Sequence, residues 1–78
     1  MTANSLPTNG TAIRALRKAR GLKIRELAEG AKVSGAYISA IETNRVDGSS
    51  WVLARIAAHL NVPLQQIVSE QLPDAVAA

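Results

Sequence analysis

The side chains able to do chemistry in this 78-residue chain are nearly all cations. There is no cysteine to act as nucleophile, disulfide partner or zinc ligand, and the single histidine, His59, cannot build a metal cluster alone. The chain has no carboxylate pair, nucleophile–base set or glycine-rich phosphate loop, so an enzyme is not expected, nor a cofactor or small-molecule ligand. Lysine and arginine remain, and they are unevenly spread. Residues 1–45 carry Arg14, Arg17, Lys18, Arg20, Lys23, Arg25, Lys32 and Arg45 against Glu26, Glu29 and Glu42, a net +5. Residues 46–78 carry Arg55 against Asp47, Glu70 and Asp74, a net −2. A polyanion would meet the first half, leaving the second free for another contact. The overall +3 is ordinary for a small soluble domain, so the asymmetry is more informative than the sum.

Helices must position these cations. The chain is 47% hydrophobic but only 3% aromatic, and fourteen alanines inflate the first figure. Leu, Ile and Val form the core, and they recur at helical spacing. No apolar run approaches the roughly 18 residues of a membrane span, and the N-terminus lacks the layout of a signal peptide. The expectation is one soluble, cytoplasmic, all-α domain of five short helices with tight connections. Residues 1–10 lack periodicity and charge and read as a flexible arm, residues 11–69 as the domain, and residues 70–78 as an Ala-rich tail.

Within the domain, Thr11 is a plausible N-cap for a first helix that carries Ile13 and Leu16 and stops at Gly21. A second helix, Ile24 to Ala31, faces Leu27 and Ala28 inward. Ser34 caps a third, Gly35 to Thr43, with Ile38 and Ile41 on its buried side. A polar loop with an Asp47-Gly48 turn leads to a fourth, capped by Ser49 or Ser50, with the stripe Leu53, Ile56, Ala57, Leu60. Asn61 ends it, and Pro63 opens a short fifth helix over Leu64 to Val68.

The stretch Leu27 to Glu42 holds two short helices joined by a tight turn. A small residue, Ala28, lets the second of the pair cross closely over the first; Val33 plugs the corner; Ile38 and Ile41 fix the buried face. Gly35, Ala36, Tyr37, Ser39, Ala40 and Thr43 are then left facing outward with no core duty.

From Ile13 to Val68 the chain resembles the helix-turn-helix family of Cro- and phage-repressor-like (XRE-type) DNA-binding proteins. The resemblance rests on Ile13-Arg14-Ala15-Leu16-Arg17, Gly21-Leu22, Glu26-Leu27-Ala28, Val33-Ser34, Tyr37-Ile38-Ser39-Ala40-Ile41-Glu42, Leu53-Ala54-Arg55-Ile56-Ala57 and Leu60-Asn61-Val62. It implies a recognition helix in the major groove of double-stranded DNA. Gly35, Ala36, Ser39 and Ala40 would then face bases, and Ser34, Tyr37, Thr43, Asn44 and Arg45 would lie near the backbone. Lys23 and Arg25 would bind phosphate with help from the second helix's N-terminal dipole. It also implies that Arg17 pairs with Glu42, tying the first helix to the recognition helix, rather than contacting DNA. Arg14, Lys18 and Arg20 read as solvated surface charge.

Three positions depart from the family pattern. Ile24 stands where Gln often binds phosphate, and Lys32 stands where Gly often makes the turn. The base-facing positions hold no Arg or Gln for bidentate readout. With Ala36 or Ala40 methyls meeting thymine methyls, sequence preference would then lean on DNA shape, on Tyr37 and on two half-sites read together. Val52, Val62, Leu64, Ile67, Val68 and Leu72 exceed what one small core needs, and Trp51, Val62, Leu64, Ile67, Val68 and Leu72 suggest a homodimer interface. The expected function is a sequence-specific transcriptional regulator of phage or bacterial origin that binds a pseudo-palindromic operator as a homodimer. The minimal members of the family are phage switch proteins, restriction–modification controllers and antitoxin-like repressors, and the Tyr37-Ile38-Ser39-x-Ile41-Glu42 run with the size suits controllers and phage regulators equally well. The length leaves no room for a sensing domain, so control would come from concentration, competition or a partner protein. The alternative is an interaction module of the same fold with weak or no sequence-specific DNA binding.

Overall fold

Four of the five expected helices form, and all four are closed by one backbone device. The computed structural model describes residues 5–69. Helix α1 spans Gly10–Ala19, α2 Ile24–Ala31, α3 Gly35–Glu42 and α4 Ser50–Leu60, followed by a single 3-10 turn at Leu64–Gln66. Just past each helix one residue turns left-handed: Gly21 at φ 70°, Lys32 at 63°, Asn44 at 62° and Asn61 at 60°. The next N–H then folds back onto the helix. Leu22 donates to the Arg17 carbonyl (3.1 Å), Val33 to Ala28 (3.0 Å), Arg45 to Ala40 (2.9 Å) and Val62 to Ala57 (3.0 Å). These bonds satisfy carbonyls that have no partner inside the helix. Gly and Asn reach this conformation easily. Lys32 holds it between α2 and α3 at a cost of about 1 kcal/mol.

The core is wholly aliphatic. One buried cluster joins Ile13 of α1, Leu27, Ala28 and Ala31 of α2, Ile38 and Ile41 of α3, Val52, Leu53, Ile56, Ala57 and Leu60 of α4, and Ile67. Each fully buried Leu or Ile contributes roughly 1.5–3 kcal/mol. Two of these residues correct the sequence reading. Val52 was expected to be surplus to the core and Ile67 to serve a dimer, yet they are 1% and 0% exposed. The 3-10 turn folds Ile67 inward, where the monomer consumes it.

The fifth helix itself is reduced to that one turn. Asn9 N–H takes the Ile67 carbonyl at 2.9 Å, Ser69 N–H takes the Pro7 carbonyl at 2.8 Å, and Thr8 and Val68 form an antiparallel bridge. The backbone leaving Ile67 is thereby committed to extended pairing instead of helix.

The same contacts correct the expectation of a flexible arm up to residue 10. Ser5 bridges to Ser49, and Leu6 N–H donates to the Gly48 carbonyl at 3.0 Å. Thr8 N–H donates to the Asp47 carboxylate (3.1 Å), and the Thr8 hydroxyl accepts from Gly48 N–H (2.9 Å). Residues 5–9 therefore strap the loop before α4 to the end of the domain. The α1 N-cap is also Asn9 rather than Thr11, its side chain accepting from Ala12 N–H at 3.0 Å.

Gly10 opens α1 directly against the end of α3. A Cβ there would lie 2.0 Å from the Ile41 carbonyl oxygen, which is backbone and cannot swing aside. Gly10→Ala should therefore destabilise the protein. Overpacking of roughly 1–3 kcal/mol outweighs alanine's helix advantage of about 1 kcal/mol. Thermal denaturation checks this, and an unchanged or higher melting temperature would contradict the close approach of α1 and α3.

Candidate nucleic-acid interface

The turn joining α2 to α3 is built from four local choices. Leu27, Ala28 and Ala31 bury one face of α2, and Ala28 at 3% exposure leaves room for α3 to cross. Lys32 supplies the left-handed corner, and Val33 is half-buried against the core. The Ser34 hydroxyl then accepts from Tyr37 N–H at 3.1 Å, starting α3. With Ile38, Ile41 and Glu42 buried, Ala36 and Ser39 are exposed on α3, and Gly35 and Ala40 are half-buried. Ala36 and Ser39 make no tertiary side-chain hydrogen bond among the described residues. This face has no structural work to do.

A bidentate ion pair sets the attitude of α3. Arg17 Nε donates to Glu42 Oε2 at 2.7 Å and Nη2 to Oε1 at 3.0 Å, while Nη1 holds the Leu22 carbonyl at 2.9 Å. One guanidinium thus joins α1, the α1–α2 turn and α3, with the two side chains 9% and 3% exposed. Hydrogen bonding to Glu42 raises the Arg17 pKa, outweighing burial, which lowers it, and the Glu42 charge adds to the rise. A raised cation pKa stabilises the fold at every pH below the unfolded value, so the pair persists until strongly alkaline conditions.

Several residues expected near the DNA backbone are engaged elsewhere. The Asn44 side-chain oxygen accepts from Gly10 N–H at 3.0 Å, and its amide reaches the Thr11 hydroxyl at 3.4 Å. Asn44 therefore helps to cap α1 from the end of α3. The Thr43 hydroxyl donates back to the Ser39 carbonyl at 3.0 Å. Tyr37 was expected to point away from the core. It is half-buried against it, and its hydroxyl accepts from Ser49 N–H at 3.2 Å at the start of α4. Tyr37→Phe should cost about 1 kcal/mol, the usual net worth of such a bond. Chemical denaturation measures it; a variant as stable as the parent would show the hydroxyl to be free for another partner.

Lys23 and Arg25 are exposed at the start of α2. The N-cap N–H of that helix, on Lys23, donates to Glu26 Oε1 at 2.7 Å. Ile24, the departure noted above, is half-buried. A Cβ at Gly35 would meet its Cγ2 at 3.6 Å, so Ile24 packs over the start of α3. Arg45 is exposed beyond α3. Beside this face lies a cleft of about 190 Å³ lined by Arg14, Arg17, Ile24, Ser39, Glu42 and Thr43. Arg14, read from sequence as plain surface charge, therefore borders the outward face of α3. The available signal was spacing: Arg14 stands three residues before Arg17, on the flank of α1 that turns toward α3.

Of the proposed dimer residues, Trp51 is 51% exposed with the Arg55 guanidinium 4.9 Å from its ring centroid. Val62, Leu64 and Val68 are half-buried against the core, Ile67 is unavailable, and Leu72 lies outside the described residues. Among the described residues no helix is long and apolar enough to cross a membrane, and no His, Asp and Glu cluster that could hold a metal ion is present.

Comparison with known proteins places this geometry. Residues 10–68 match the family model described as a helix-turn-helix domain. The transcriptional regulator ClgR of Mycobacterium tuberculosis is 36% identical over 59 residues, 76% of this chain and 53% of ClgR. The chain thus spans about half the length of the curated relatives it matches. The crystal structure of the clp gene regulator ClgR from Corynebacterium glutamicum shares 38% identity at a TM-score of 0.70, covering 72% of this chain and 60% of that one. The N-terminal DNA binding domain of SinR from Bacillus subtilis shares 34% identity at a TM-score of 0.72, covering 81% and 93%. SinR, a master regulator for biofilm formation, has also been solved in complex with DNA. Matched across three-quarters of its length, with Ala28, Lys32, Val33 and Ser34 making the turn between α2 and α3, the chain belongs to the helix-turn-helix domain family.

Proposed function

We propose that this protein is a DNA-binding transcriptional regulator, not an enzyme, which presents α3 to the major groove. The observation that carries this is the outward face of α3, with Ala36 and Ser39 exposed, Arg14 bordering it, and Lys23, Arg25 and Arg45 exposed at the start of α2 and just beyond α3. The regulators ClgR and SinR, one of them solved on DNA, support the same reading. Gly35, Ala36, Ser39 and Ala40 would meet base edges, and Lys23, Arg25 and Arg45 would meet phosphates. Ser34, Tyr37, Thr43 and Asn44 would then act mainly by holding α3 in place. With such short side chains the helix backbone would approach the groove floor, and specificity would rest on thymine methyls and DNA shape.

A homodimer on a pseudo-palindromic operator completes the reading. It would set two recognition helices about 34 Å apart and double the phosphate contacts. Among the described residues, Trp51, Val62, Leu64 and Val68 are the side chains of the expected set left to form it. One experiment tests the whole: selection from random duplexes followed by a salt titration of the enriched site. A regulator enriches a two-fold symmetric sequence and loses affinity steeply with salt. Failure to enrich any sequence, with a flat salt response, would leave the interaction-module reading, which the absence of bidentate base readers favours.

A further inference from the structure

The cleft between α1 and α3 is built as an anion seat. Arg17 and Glu42 at its base neutralise one another through two hydrogen bonds. Ile24 closes one wall without charge, and the Ser39 side chain lines it along α3, while the Thr43 hydroxyl is spent on the Ser39 carbonyl. What remains is the single uncompensated charge of Arg14, exposed at the rim and with no carboxylate within ion-pair distance among the described residues. The cleft opens on the same side as Ser39. An extended polyanion lying along α3 would therefore bring one of its charges over it. A guanidinium beside a hydroxyl donor in an open pocket of this size can take a phosphodiester oxygen.

We infer that Arg14, together with the Ser39 hydroxyl, binds one backbone phosphate of the DNA duplex in this cleft, making α1 a third contact element beside α2 and α3. The inference rests on the DNA reading above and adds to it a specific residue outside the helix-turn-helix itself. Arg14 would clamp the strand running past the middle of α3 and fix how deeply α3 enters the groove.

The test compares the salt dependence of duplex binding for the parent, Arg14→Ala, Arg14→Lys and Arg55→Ala, with melting temperatures recorded for each. Arg55 stacks on Trp51 and reaches the Ala31 carbonyl, so its removal is a charge-matched control away from the cleft. Losing one phosphate contact should reduce the slope of log K against log salt by about 0.9 and weaken binding roughly eightfold at 0.1 M salt. That result for Arg14→Ala, a parental slope for Arg14→Lys and for Arg55→Ala, and unchanged melting of Arg14→Ala support the inference. An Arg14→Ala slope equal to the parent's, or an equal drop for Arg55→Ala, overturns it while leaving the DNA reading standing. A parent protein with no salt-dependent duplex binding overturns both.

Discussion

Glu42→Ala is expected to produce the largest loss of stability of any single surface-distant polar change in this protein. It strands the Arg17 guanidinium at a site where the pair is 9% and 3% exposed. Breaking a buried ion pair by removing one partner costs about 3–5 kcal/mol, most of it the penalty for the remaining uncompensated charge. For a domain of this size each kcal/mol moves the melting temperature by roughly 4–8 °C, so a fall of at least about 12 °C is expected. The double replacement Arg17→Met with Glu42→Leu should recover most of that loss, because the interior then holds no charge to strand. Differential scanning calorimetry on the two proteins checks both parts. A single variant melting within about 2 °C of the parent would mean that Arg17 is solvated and that α1 does not set the attitude of α3.

The second large effect should be on binding alone. Ala36 is exposed on α3, beside the Ser34 cap and opposite the buried Ile38 and Ile41. Ala36→Glu puts a negative charge where the major groove would be. Like-charge juxtaposition at an interface costs several kcal/mol, which corresponds to a 100-fold or greater loss of duplex affinity. The fold should not notice, since Ala36 lies outside the core cluster. Fluorescence anisotropy with a labelled duplex, beside a melting curve, separates the two effects. Equal affinity for parent and variant would remove α3 from the contact surface.

The helices were legible where residue type alone decides the backbone. Gly21 and Asn61 mark helix ends because both adopt positive φ readily, and Ser34 marks a start because its hydroxyl caps. The stripe Leu53, Ile56, Ala57, Leu60 announces α4 by its period. Asn44 was legible in type but not in role. Nothing local shows that its side chain will cap α1, thirty-four residues away. Tyr37 failed for a related reason. Helical spacing places it beside Ile38, but only the position of Ser49 decides that its hydroxyl turns inward. The strap of residues 5–9 was invisible because short extended pairing between distant segments leaves no periodic trace. That same pairing ended the fifth helix early and sent Ile67 into the core. In the candidate interface, the free face of α3 could be read from the buried residues opposite it, whereas the place of Arg14 beside it required the packing of α1 on α3.

The central claim is that the outward face of α3, with its cationic flanks, is what DNA touches. Amide chemical-shift mapping during titration with an enriched duplex tests it most directly. The account predicts the largest shifts at Gly35, Ala36, Ser39 and Ala40, with smaller ones at Lys23, Arg25, Arg45 and Arg14, and a silent outer face of α4 at Ala54 and Ala58. Shifts concentrated on that α4 face, with α3 unchanged, would contradict it.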